Sequence, residues 1–236
     1  MGITRRFAIL SACLAVTSAA WAQDFKVTLL GTGTPFPVPD RFGAATLVEA
    51  GRERLLFDVG RGATIRLNQI SVPMGTLNAV FLTHFHSDHT SGIRDLWLTG
   101  WIGRYYGNRQ SPFRVIGPKG TVSLMQNLER AYAEDIRIRY ADEKNPMEGV
   151  AIAASEYASD GVVYDKNGVT VTAFEVDHGA LIKPAYGYRV DYDGRFGPSH
   201  NAAGGGLAVR KAQAETRRLH ASCVLGLARL SGTQGR

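Results

Sequence analysis

Cysteine is nearly absent: the 236 residues hold two, Cys13 and Cys223. A framework of disulfides of the kind that supports small exported domains is therefore excluded. A membrane-spanning run is missing as well, because the apolar stretch from Phe7 to about Ala20 falls short of the roughly 20 residues a bilayer requires. The middle of the chain also lacks a charge excess of one sign. Residues 23–196 carry 19 basic and 20 acidic side chains, so the formal charge of +6 arises at the ends. A broad basic face is not expected, and nucleic acid is not expected as a partner. A dinucleotide fingerprint fails too. Gly31-Thr32-Gly33 is followed by Pro35, Pro37 and Pro39, which forbid the helix that would hold a pyrophosphate, and no P-loop lysine is present. What is there, 44% apolar and 20% charged residues, suits one packed domain and rules out disorder, collagen and coiled coil.

The ends differ from the body. Arg5 and Arg6, the apolar run and Ala20-Trp21-Ala22 have the order of a secretory signal peptide over residues 1–22, with cleavage expected after Ala22 and a periplasmic or secreted destination. Leu10-Ser11-Ala12-Cys13 offers the alternative of a lipoprotein box; otherwise no stable membrane anchor is expected. Cleavage removes Cys13 and leaves Cys223 as the lone thiol. From residue 197 the sequence turns to Gly, Ala, Ser and Arg, with six basic residues against Glu215. Residues 197–236 read as a divergent tail, coil or helical between Leu207 and Leu230, with His200 and His220 as surface residues.

Residues 23–196 form the domain proper. Phe25–Leu30 alternates well enough for an opening strand, and further strands are expected at Ala45–Glu49, Arg54–Asp58, Ala79–Thr83, Phe113–Gly117, Val150–Ala154, Val162–Asp165, Val169–Val176 and Tyr186–Tyr192. Helices are expected at Ala63–Gln69, Ser91–Leu98 and Thr121–Ala133, the last capped by Thr121. Asn167-Gly168 marks a tight hairpin. Strands in hairpins interrupted by helices describe an α/β layered sandwich, not a doubly wound sheet.

Chemistry concentrates at one place. Directly after the buried strand residues Val80, Phe81 and Leu82 comes Thr83-His84-Phe85-His86-Ser87-Asp88-His89. His84 and His86, two apart at a strand end, can present their imidazoles to one side, while Asp88 and His89 face a second point in the next turn. Imidazole nitrogen and carboxylate oxygen are ligands that zinc prefers, and a cation relieves the repulsion among clustered histidines. His178, in Val176-Asp177-His178-Gly179 at another strand end, is expected to complete a three-histidine site with His84 and His86. Trp97, Trp101, Tyr105 and Tyr106 have two readings, the lining of a substrate mouth or packing around a surface helix.

The chain resembles the metallo-β-lactamase superfamily, and within it the ribonuclease Z, arylsulfatase and phosphodiesterase branch. The residues that carry this are Leu30-Gly31-Thr32-Gly33-Thr34-Pro35, Leu56 through Gly62, Phe81 through His89, Asp95 through Gly100, Gly117 through Gly120, Asp177-His178-Gly179 and Tyr186 through Arg189. The resemblance spans about residues 25–196 and implies an αββα sandwich. It also implies a first zinc on His84, His86 and His178, a second on Asp88 and His89, and Asp58 steadying the metal-bearing loop. Two zinc ions are implied for an intact member, one being an option here, with manganese or iron also suited to such ligands. The implied reaction is hydrolysis by a hydroxide bridging the metals, with Asp88 taking or steering the proton. The chain departs from the pattern beyond Phe196. The Ser-Gly-Asp-Thr-like turn with a bridging aspartate and a later histidine have no counterpart, so the second half of the sandwich is expected to be incomplete, with an open sheet edge.

These readings favour an exported metal-dependent hydrolase of phosphodiesters or sulfate esters, acting on a small-molecule or ester substrate, its activity impaired by the missing ligands. The alternatives are an inactive one-zinc remnant of such an enzyme and a lactone or β-lactam hydrolase. A homodimer is left open.

Overall fold

The computed structural model describes residues 25–103, 105–196, 199–201 and 206–208. The expected signal peptide with Cys13, and the tail with Cys223 and His220, lie outside the described residues.

The first sheet has strand order β1 (Phe25–Gly31), β2 (Ala45–Ala50), β3 (Glu53–Phe57), β4 (Ala79–Phe81), β5 (Phe113–Pro118) and β6 (Ile152–Tyr157). The first three pair antiparallel; β3 through β6 pair parallel. Parallel strands are covered on both faces, which explains the unbroken apolar runs Leu55-Leu56-Phe57 and Ala79-Val80-Phe81, all buried. Alternation then sends successive residues to different layers. Leu47, Leu56, Val80, Leu82 and Val115 face a helical layer made of α1 (Ala63–Gln69), α3 (Ile93–Trp101) and α4 (Thr121–Ala131). Val48, Leu55, Phe57, Phe81 and Ile116 face the second sheet.

That sheet contains β7 (Gly161–Lys166), β8 (Val169–Glu175) and β9 (Tyr186–Tyr192), extended by β10 (Arg195–Phe196), β11 (Ser199–Asn201) and β12 (Gly206–Ala208). Val169, Val171 and Ala173, every second residue of β8, point at the first sheet together with Tyr164, Tyr188 and Val190. The β7–β8 turn is built by Asn167 and Gly168, both with left-handed φ (50° and 77°), as a two-residue hairpin requires. The order of layers is helices, sheet, sheet. Among the described residues, no helical side chain belongs to the core between the sheets.

Several expectations need correction. Residues 199–201 and 206–208 are strands, not coil or helix, and β11 lies beside β9 with His200 opposite Tyr188. β9 therefore has a neighbour on that side, because a strand edge offers backbone partners whatever the side-chain pattern, and among the described residues the edge of the sheet lies at β12. Helix α3 begins at Ile93 and runs to Trp101. At the start of α4, Gly120 with φ 115° holds the cap position, and the Thr121 hydroxyl donates to Pro118 O at 2.8 Å instead of capping. Two more helices, α5 (Ala133–Glu143) and α6 (Met147–Val150), were not expected. No residue of α5 is fully buried and Ile136 alone packs partly against the core, so it has no wide apolar stripe to betray it. Its ion pairs, Arg137–Glu134 and Arg139 with Asp135 and Glu143, join residues three and four apart. The four-residue α2 (Ser87–Thr90) belongs to the site below.

Candidate metal centre

The site forms where β3 and β4 end side by side. Asp58 follows β3, is 0% exposed and has φ 58°, a left-handed conformation that aspartate tolerates better than most residues. Its amide donates to Phe81 O at 2.8 Å. Its carboxylate accepts from the next strand's continuation: Thr83 N reaches Oδ1 at 2.9 Å and the Thr83 hydroxyl reaches Oδ2 at 2.8 Å. His89 Nδ1 adds a third bond to Oδ2 at 2.7 Å. Asp58 thus ties down the histidine-bearing segment from behind.

These bonds also decide which imidazole nitrogens are free. The Thr83 hydroxyl has one proton and gives it to Asp58. It can only accept from His84 Nδ1, 2.9 Å away, so Nδ1 carries the proton and Nε2 of His84 keeps a lone pair. That Nε2 is buried and has no hydrogen-bond partner, and His84 itself is 1% exposed. By the same logic His89 donates from Nδ1 and turns the lone pair of Nε2 toward Asp88, whose Oδ2 lies 3.7 Å away.

His178 arrives from the second sheet, in the segment after β8 that Val176 N closes against Ala185 O at 2.9 Å. Ring centroids of His84 lie 4.7 Å from those of both His86 and His178, and the latter two are 5.6 Å apart. One nitrogen from each of the three lies within 4.8 Å of the others. Among the described residues this is the one group of three or more such donors able to share a cation. Asp88, 8% exposed, and His89 sit against it, with the His84 and His89 rings 4.2 Å apart.

Burial, with the nearby His89, lowers the His84 pKa to about 4. Burial and the neighbouring His86 and His89 lower that of His178. Burial acts the same way on His89 but is outweighed by its hydrogen bond to Asp58 and the two aspartate charges, which raise it. Neutral His84 and His178 are the protonation state that metal ligation needs. The orphaned Nε2, the converging nitrogens and the donor types all fit a zinc-class ion.

Other expectations resolve differently. Trp97 and Trp101 are core residues, 0% exposed, their indole N–H groups donating to Val150 O and Pro146 O. They line no mouth. Tyr105 and Tyr106 are exposed. Asp191 pairs with Arg189, and Asp193 stands in the β9–β10 turn; neither joins the histidines. Thr83, quoted with the histidine motif, was given no role there, since a hydroxyl beside a strand has no distinguishing pattern.

The sheets, the helical layer and the histidine cluster define a metallo-β-lactamase fold, and the sequence is similar to ribonucleases Z. A family model described as "Anti-Pycsar protein Apyc1" matches residues 25–189, and the chain belongs to that family. Ribonuclease Z of Mycobacterium marinum is 39% identical over 169 residues, 72% of this chain and 60% of that protein. Ribonuclease Z of Mycobacterium bovis is 37% identical over 169 residues, 72% and 59% of the two chains. The chain thus spans about 60% of the length of these curated relatives. Human tRNase Z, short form, superposes with a TM-score of 0.56 at 24% identity, covering 72% of this chain and 66% of that one. The metallo-β-lactamase fold protein YhfI of Bacillus subtilis gives 0.56 at 21%, covering 73% and 61%.

The relatives' name runs against the expectation that nucleic acid is no partner. A neutral body argues against an extended phosphate-tracking surface. It says nothing about one phosphodiester engaged at a metal site, where the local charge decides.

Proposed function

We propose that the chain is a metal-dependent phosphodiester hydrolase whose substrates include RNA. His84, His86 and His178 would hold one divalent cation, and Asp88 with His89 would contribute to a second. A cation so held supplies Lewis acidity, acidifying a coordinated water and drawing charge from a phosphoryl oxygen. Asp58, through Thr83 and directly on His89, orients two ligand rings and keeps their tautomers. Asp88, buried beside His89 Nε2, is the carboxylate placed to accept a proton at the cluster. The observation that carries the reading is the buried Nε2 of His84, its partner nitrogen committed to Thr83 and no hydrogen bond of its own. An unmet acceptor of that kind costs about 1–3 kcal/mol unless something binds it.

The test is metal content per chain together with turnover of a chromogenic phosphodiester and of a short RNA. Bound zinc with phosphodiester turnover that a chelator abolishes is expected; a chain that neither retains metal nor cleaves either substrate would refute the proposal. A second reading, a one-cation remnant without turnover, is favoured by the described residues offering Asp88 and His89 as the pair for a second ion, with no third donor grouped with them. One metal per chain and no turnover would select it. Sulfate esters are an alternative substrate, tested by a chromogenic aryl sulfate. Export belongs to the proposal on the strength of residues 1–22, and N-terminal sequencing of the mature protein would locate the cleavage.

A further inference from the structure

β4 ends at Phe81, so the carbonyls of Leu82 and Thr83 lie beyond the end of that strand, just ahead of His84. Both are taken up by β9 of the other sheet. The Tyr188 hydroxyl donates to Leu82 O at 2.6 Å, and Tyr186 N donates to Thr83 O at 3.0 Å. A carbonyl only accepts, so Tyr188 uses its one proton there. In the contact between the Tyr157 and Tyr188 hydroxyls, 2.5 Å apart, Tyr157 is therefore the donor. Tyr157 is the last residue of β6, so a hydrogen-bonded chain runs from the edge of the first sheet, through the second, back to the loop that carries His84 and His86. Tyr188 is 0% exposed, its ring packed against Phe57 and Phe81 at 5.3 and 5.4 Å. β9 is also the strand that the His178 segment leads into.

We propose that Tyr188 is a positioning residue of the metal centre: its hydroxyl on Leu82 O sets how the second sheet seats on the histidine loop, and so how closely His178 approaches His84 and His86. The proposal rests on the reading of the three histidines as a metal site. Polar groups behind metal ligands typically change affinity roughly 10- to 100-fold when removed. Tyr188 acts through the backbone, so the lower end applies.

The experiment titrates zinc into the full metal-free chain and into Y188F and Y164F, and records the visible spectrum of each with Co²⁺. Tyr164 is the control. Its hydroxyl bonds Glu53 in the same core between the sheets, at the end of β3 away from Asp58. Y188F is expected to bind zinc about tenfold more weakly, with a shifted Co²⁺ spectrum and an unchanged far-UV circular dichroism spectrum. Y164F is expected to melt at a lower temperature and to bind zinc as the parent does. Zinc affinity of Y188F within about twofold of the parent, or an equal loss in Y164F, would overturn the proposal. If Y188F does not fold, Y157F, which removes only the outer donor, should show a smaller loss in the same direction, and unchanged affinity would overturn it. A parent chain that binds no zinc would sink the reading of the site and this proposal with it, and the parent titration alone identifies that outcome.

Discussion

Replacing Asp58 by Asn keeps the shape and reverses the logic of the hydrogen bonds. The carboxylate accepts from Thr83 N, Thr83 Oγ1 and His89 Nδ1. An amide can keep the first bond through its oxygen, but its NH₂ then faces Thr83 Oγ1 and His89 Nδ1, a donor set against two donors. The Thr83 hydroxyl must turn and accept from the amide, sending its proton toward His84 Nδ1. His84 then carries its proton on Nε2, the atom that faces the shared point. His89 is driven the same way. Charge-assisted bonds are worth roughly 1.5–3 kcal/mol each, so the metal-free variant should lose about 3 kcal/mol of stability. Zinc affinity should fall roughly 10- to 100-fold. Isothermal titration gives the affinity, and long-range ¹H–¹⁵N spectra of the imidazoles give the tautomers. A variant whose His84 keeps the proton on Nδ1, or that binds zinc as the parent does, would refute the relay.

Other outcomes follow from the same geometry. His86→Ala leaves two imidazoles to compete with water, and most metal should be lost from the purified protein, as read by elemental analysis. Metal-free protein should weaken in acid. His84, held at about 4 in the fold against an ordinary value near 6.5, contributes stability that is fully present above pH 6.5 and declines as the pH falls toward 4. Urea unfolding in chelator should show a loss of about 2 kcal/mol between pH 7 and pH 5, increased by His178, also lowered, and offset in part by His89, whose raised value contributes in the opposite sense. Trp101→Ala should cost about 3–5 kcal/mol of stability and leave zinc affinity unchanged, because its ring and indole N–H are engaged only in the core; weakened zinc binding would contradict that separation.

Much of the fold was legible because its signals are local. Strands of four or more residues with period-two alternation, the Asn167-Gly168 turn and the Ala63–Gln69 helix all show the periodicity or turn chemistry of the finished structure. Helix α5 was hidden because none of its residues is fully buried and Ile136 alone packs partly against the core, and Val150 was misassigned because α6 ends one residue before the chain turns into β6. The tail misled for a different reason. Short strands such as β11 and β12 are held by backbone pairing to strands shortly before them, and no side-chain pattern announces such pairing.

The sequence by itself determined the chemistry of the loop after β4: His84, His86, Asp88 and His89 sit within six residues, and a strand end can only display them together. Tertiary structure alone decided that His178, almost a hundred residues on, reaches the same point, that Thr83 and Asp58 choose the tautomers, and that Trp97 and Trp101 are core. Spacing along a chain constrains neighbours within a turn or a strand. The approach of two sheets is settled only when their buried faces pack, and side chains from both then share one environment.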